Sequence, residues 1–181
     1  MRPSPQTRMA TILLAESNPQ MRSAIRSILL YHKFHQITEA YDTKSFMESV
    51  RSVPFSAILL DSGIPNLDAL AITRFIRAGR LGANRTSGIM LLSLRSDLPY
   101  VFEAREAGVT EFIAKPFSTA SLMTRLVSML EKPRPFVTTD SYTGPCRRTG
   151  LVEPDFTPPK QRAEDGMAVR HEDIVVIPRR P

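Results

Sequence analysis

Short apolar runs punctuate the chain as far as Lys132, and stretches of helical spacing separate them. Thr11–Ala15, Phe55–Leu60, Ile89–Leu92 and Glu111–Ala114 are mostly apolar and end abruptly in polar or turn-forming residues. Runs of that length, bounded by turn signals, predict strands buried on both faces. Gln36–Ala40 is mixed and fits a strand nearer a sheet edge. After the first run, Met21, Ala24, Ile25, Ile28 and Leu29 recur at helical spacing, with Arg22 and Arg26 on the opposite side. Ser17 or Asn18 can cap that helix, and Pro19 suits its first position. A second helix opens at Asp42 or Thr43 and runs to about Val50, before Pro54. A third spans Leu67 to about Ala78, apolar at Leu70, Phe75 and Ile76. A fourth runs from about Leu98 to Ala107, where Gly108 ends it. Its stripe is thin (Val101, Phe102, Ala104), so it is expected to be the least anchored. Ser118 caps a fifth, bearing Leu122, Leu126, Met129 and Leu130.

Strands alternating with helices require a parallel sheet covered on both faces. The expected fold class is α/β: a doubly wound, flavodoxin-like, five-stranded sheet in the order 2-1-3-4-5, flanked by five helices. Beyond Lys132 the periodicity stops. Residues 133–181 are rich in Pro and charge, with isolated aromatics at Phe136, Tyr142 and Phe156, a composition typical of disorder. Ile174-Val175-Val176-Ile177 is the exception, either a strand that docks on an edge or partner, or a sticky disordered patch. The expected division is a domain over 9–132 and a mostly disordered tail over 133–181.

Composition narrows the partners. The 181 residues carry a net charge of +6 and a pI near 9.9, but Lys and Arg are scattered and form no stripe. A solvated basic surface accounts for this, and nucleic acid is not an expected partner. The single cysteine, Cys146, excludes a disulfide framework. No run approaches the length of a membrane span, and Met1-Arg2-Pro3-Ser4-Pro5 lacks the apolar core of a signal peptide. The expectation is a cytoplasmic protein without a membrane partner. No glycine-rich nucleotide loop is present. His32, His35 and His171 lack metal-ligand spacing, and Ser93 has no histidine placed as a base. Tyr142–Arg148 reads as a basic turn or a short recognition motif.

What stands at the carboxyl ends of the strands is more informative. By position alone Asp61, followed by Ser62-Gly63-Ile64-Pro65, is either a loop cap or part of a phosphate or metal site. Yet Glu16 and Ser17 follow the first strand, Asp61 ends the third, Ser93 follows the fourth and Lys115 the fifth. Adjacent strands lie about 4.8 Å apart, so all of these are expected along one edge. Two carboxylates, a hydroxyl and an ammonium support phosphoryl transfer to a carboxylate. Asp61 would be the nucleophile and Ser93 a hydrogen-bond donor to the transferred group. Lys115 would be a mobile counter-charge. Glu16 and Asp61 would hold Mg²⁺, a hard ion that prefers oxygen.

Over about Met9 to Glu131 the chain resembles the receiver domain of two-component response regulators (CheY-like). The matching motifs are Ile12–Pro19, Leu59-Leu60-Asp61 with Pro65, Leu92-Ser93, and Lys115-Pro116-Phe117. The resemblance implies that Asp61 is the phosphoacceptor, charged by a histidine kinase or phosphotransfer protein. It also implies a metal set of Glu16, Ser17, Asp61 and the Gly63 carbonyl, with a cis Lys115–Pro116 bond. Ser93 and Phe112 would form a switch that remodels the face of helix four, strand five and helix five for a downstream protein. The expected protein is a single-domain regulator with no enzymatic output. Departures from the family pattern are Ser17 in place of a second acid, the bulky Leu94 after Ser93, and Ala69 where glycine is common. Arg95 and Gly63 flank the site where the family tunes phosphoryl lifetime. The first departure predicts weaker Mg²⁺ binding. Two other readings stay open: a scaffold that is never phosphorylated, and a nucleic-acid-associated regulator using the basic tail.

Overall fold

The computed structural model describes residues 3–139 and 142–147. Its main sheet is parallel, in the order β2-β1-β3-β4-β5. The strands are β1 (Ile12–Ala15), β2 (Ile37–Ala40), β3 (Ala57–Asp61), β4 (Gly88–Ser93) and β5 (Glu111–Ala114). Between and after them lie α1 (Pro19–Tyr31), α2 (Thr43–Ser52), α3 (Ala69–Arg77), α4 (Leu98–Glu106) and α5 (Thr119–Glu131). Every one of these helices begins on a side-chain cap: Asn18, Asp42, Asp68, Asp97 and Ser118 each accept a backbone N–H from the first turn. Those bonds satisfy donors that a helix start leaves open. The expected sheet order and alternation are therefore both observed.

Strand alternation divides the core. Leu13, Ala15, Ile58, Leu60, Ile89 and Leu91 face α2, α3 and α4. Ile12, Leu14, Ala57, Leu59, Met90 and Leu92 face α1 and α5. Burial on both sides is why these strands read as unbroken apolar runs.

Two helices present other residues to the core than the spacing suggested. In α4, Tyr100 and Ala104 are buried while Phe102 is 57% exposed. Tyr100 lies one turn before Ala104 and meets Phe112 edge-on at 6.2 Å between ring centroids, so the amphipathic tyrosine takes the core position. In α3 the cap is Asp68, which starts the helix at Ala69, and Ile72 and Ile76 take the buried face. Phe75 is on the outside, with the Arg80 guanidinium 5.6 Å from its ring centroid.

The fold also continues past Lys132. β6 (Phe136–Thr138) and β7 (Thr143–Pro145) form an antiparallel hairpin. Phe136 and Val137 are buried, and the Arg77 guanidinium lies 5.7 Å from the Phe136 ring centroid. Arg77, itself buried, donates to the Gly108, Arg85 and Ser87 carbonyls at 2.9, 2.7 and 2.8 Å. Arg147 pairs with Glu106 at 2.6 Å and stacks 3.6 Å over Tyr142. A boundary at Lys132 therefore falls too early. The hairpin closes over the ends of α3 and α4, at the amino-terminal edge of the sheet. Composition hid it, because Phe136, Val137 and Tyr142 are its only large apolar or aromatic residues, and Lys132-Pro133-Arg134-Pro135 and Arg147-Arg148 flank them. Phe156 and Ile174–Ile177 lie outside the described residues.

A carboxylate site at the carboxyl edge of the sheet

The strand ends are fixed by ladder bonds that run one residue past β1, β3 and β5. Glu16 N–H donates to Ala40 O at 3.0 Å, Ser62 N–H to Leu92 O at 2.9 Å, and Lys115 N–H to Ser93 O at 2.7 Å. Glu16, Asp61 and Lys115 continue the alternation of the α1–α5 face, so their side chains share a side of the sheet. There the Lys115 ammonium donates to Glu16 Oε2 at 2.6 Å and to Asp61 Oδ1 at 2.9 Å. Groups separated by up to 99 positions thus meet within one hydrogen-bond length.

The cluster is nearly dry. Glu16 is 1% exposed and Asp61 5%. Burial pulls the lysine pKa down, but the hydrogen bonds and charges of Glu16 and Asp61 outweigh it and leave the value raised. Glu16 Oε1 is also occupied, by the Asn18 N–H at 3.0 Å. The atom still open is Asp61 Oδ2, which makes no hydrogen bond within the described residues. Gly63 lies beside it: a Cβ there would stand 3.2 Å from Oδ2, so glycine keeps that oxygen accessible.

Ser93 continues the other alternation, toward α4, and is fully buried. Its hydroxyl bonds neither Asp61 nor Lys115. It accepts from Ser62 Oγ at 2.9 Å and from the Arg95 N–H at 3.0 Å. Phe112, half-buried, packs at the edge of the α4 side of the core. The Lys115–Pro116 bond is cis, as the resemblance implied. Ser17 is half-buried with no side-chain bond, and its carbonyl accepts from Arg22 at 3.4 Å. Leu94 is 81% exposed, pointing into solvent, so it does not crowd Asp61 in this state. Ala69 is buried in the α2–α4 core.

The sequence reading placed Asn18 as a candidate helix cap but gave Ser62, Asn18 and Arg22 no part in this site. Ser62 had a findable signal, since it follows Asp61 and stands in register with Ser93 once β3 and β4 pair. The roles of the Asn18 amide and of Arg22, which donates to Glu16 O at 2.8 Å, depend on backbone geometry that spacing does not encode.

In donor chemistry the site suits a hard divalent cation: the Asp61 and Glu16 carboxylates, the Ser17 hydroxyl and the Gly63 carbonyl are all oxygen. It is poor in charge. Among the described residues no group of three or more His, Cys, Asp or Glu side chains gathers as a metal site, and both Glu16 oxygens are already engaged.

A doubly wound sheet with a buried acid–acid–lysine cluster at its carboxyl edge is the architecture of a phosphoacceptor module. The chain belongs to the response regulator receiver domain family, whose model matches residues 12–127. It is 30% identical over 124 residues to the response regulator ArlR of Staphylococcus saprophyticus, covering 68% of this chain and 54% of that protein. It is 25% identical over 142 residues to the transcriptional regulatory protein KdpE of Mycobacterium tuberculosis, covering 75% of this chain and 60% of that one. The chain thus spans a little over half the length of these relatives. Among solved structures it resembles the receiver domain of a sensor histidine kinase from Pseudomonas aeruginosa, which holds a magnesium ion in its active-site cleft. That match has a TM-score of 0.60 and 29% identity, over 68% of this chain and 99% of that one. The response regulator DrrB of Thermotoga maritima shares the fold, with a TM-score of 0.62 and 20% identity over 73% of this chain and 57% of that one. Among the described residues no helix is long and apolar enough to cross a membrane.

Proposed function

We propose that this receiver accepts a phosphoryl group on Asp61 from a histidine kinase or phosphotransfer protein and signals by changing its α4–β5–α5 surface for a downstream protein. The observation that carries this reading is the Lys115 ammonium shared between Asp61 and Glu16 at 2.9 and 2.6 Å. An oxygen of Asp61 attacks phosphorus, and a P–O bond forms. The bond from phosphorus to the donor imidazole nitrogen breaks, and the electron pair leaves with that nitrogen. The carboxylate supplies its own lone pair and needs no base. Lys115 is placed to exchange its contact with Asp61 for one to a phosphoryl oxygen, as a point charge that can pivot.

Mg²⁺, when bound through Asp61, the Gly63 carbonyl and Glu16 or Ser17, would neutralise charge on the incoming group. With Glu16 tied to Lys115 and Asn18, binding should be weaker than at a site with a further free carboxylate. Once attached, the group brings nearly two negative charges and three acceptor oxygens, and Ser93 turns toward them. Phe112 then rotates inward and re-sets the contact with Tyr100. Output is by protein contact, with no enzymatic product of its own.

Intact-mass measurement after incubation with acetyl phosphate and Mg²⁺ tests this. The wild type should gain one phosphoryl group and Asp61→Asn none. A gain that survives the substitution would move the acceptor elsewhere, and no gain in the wild type would favour the unphosphorylated scaffold.

A further inference from the structure

We propose that Ser62 is a positioning residue that holds the Ser93 hydroxyl in the resting state and so sets how readily the site accepts its phosphoryl group. This deepens the reading above and rests on it. Ser62 and Ser93 follow the β3–β4 register and lie on the α4 side, across the sheet from the Asp61–Lys115 pair. In that position Ser93 Oγ accepts two hydrogen bonds, from Ser62 Oγ at 2.9 Å and from the Arg95 N–H at 3.0 Å. A hydroxyl has two acceptor lone pairs, so both are filled and the side chain, fully buried, is locked. To serve a group on Asp61 it must rotate around the end of β4 and give those bonds up.

A bond made only in the resting state favours that state by its own net worth. The Arg95 bond comes from backbone, beyond the reach of side-chain substitution. The Ser62 bond comes from a half-buried side chain whose hydroxyl bonds only Ser93 among the described residues, so it is the adjustable one. Typical net hydrogen-bond worth corresponds to about fivefold in an equilibrium constant.

Beryllofluoride, a phosphoryl mimic, gives the direct test on the full chain with Mg²⁺, its affinity followed by amide chemical shifts. Ser62→Ala should bind about fivefold tighter than wild type, whereas Ser62→Thr, which retains the hydroxyl, should stay near wild type. In a Ser93→Ala background, Ser62→Ala should change nothing. A merely structural role for Ser62 would move thermal stability in both backgrounds and would not show that coupling. Equal or weaker binding by Ser62→Ala, or the same effect without Ser93, overturns the proposal and leaves the Asp61 assignment standing. Failure of the wild type itself to bind beryllofluoride overturns both.

Discussion

The Lys115 ammonium binds two carboxylates that would otherwise repel across a nearly water-free gap. One cation against two anions leaves a single excess negative charge there, little to attract a divalent ion. Ser17 stands next to Glu16, where a carboxylate would add to that charge. Ser17→Asp is therefore expected to tighten Mg²⁺ binding about tenfold, the effect of one added oxygen ligand bearing charge, measured as amide shifts in an Mg²⁺ titration. Binding unchanged by the added carboxylate would mean that Ser17 lies too far from the ion. The meeting of Asp61, Lys115 and Glu16 was legible in the sequence because strand ends of a parallel sheet share an edge, whatever the loops between them. The hydroxyl's orientation was not. Ser93 was expected to donate to the transferred group, and in this resting arrangement strand alternation turns it to the other side, where Ser62 and the Arg95 amide donate to it.

The β6–β7 hairpin extends the domain beyond the segment matched by the family model. It covers Arg77 with Phe136 and ties Glu106, the last residue of α4, to Arg147. Burying one Phe and one Val is worth roughly 3 kcal/mol. A chain cut after Lys132 should lose about that much stability relative to one cut after Arg147, read from urea midpoints at equal slope. Equal midpoints would show that the hairpin contributes nothing. The comparison also bears on the nucleic-acid reading, since a cut at Lys132 removes folded structure together with basic charge. Inside the hairpin, burial raises the Tyr142 phenol above its ordinary value, with Arg147 opposing. A raised folded value means that the neutral phenol is favoured in the fold. The associated stability is complete below about pH 10 and is lost as pH rises through the folded value. Tyr142→Phe should flatten that alkaline decline while giving up about 1 kcal/mol at neutral pH, because the phenol donates to Pro145 O at 2.7 Å. An unchanged alkaline slope would show that Tyr142 does not report on folding. The main strands were readable because each is a dense apolar run. The hairpin's strands are three residues each, and depend on a buried arginine about sixty to seventy positions upstream, which no local pattern announces.

Taken together, the two edges of the sheet divide the labour. The amino-terminal edge is closed by the hairpin and the buried arginine. The carboxyl edge keeps Asp61 Oδ2 accessible beside Gly63, with charge and hydroxyl held close. α4 connects them: its start follows Ser93 and Arg95, its middle meets Phe112 through Tyr100, and its end is pinned at Glu106. Its first half leaves Leu98 and Phe102 uncovered, so a change at Ser93 is felt first on a helix with few anchors. On the function proposed above, such an arrangement would convert one covalent event at Asp61 into a change of surface. Borohydride reduction of the acetyl-phosphate-treated full chain, followed by peptide mass mapping, locates the acyl phosphate directly. Reduction of the residue 61 side chain to an alcohol, and of no other carboxylate, is the predicted result; a reduced Glu16, or an unreduced Asp61 in a chain that has gained phosphate, would contradict it.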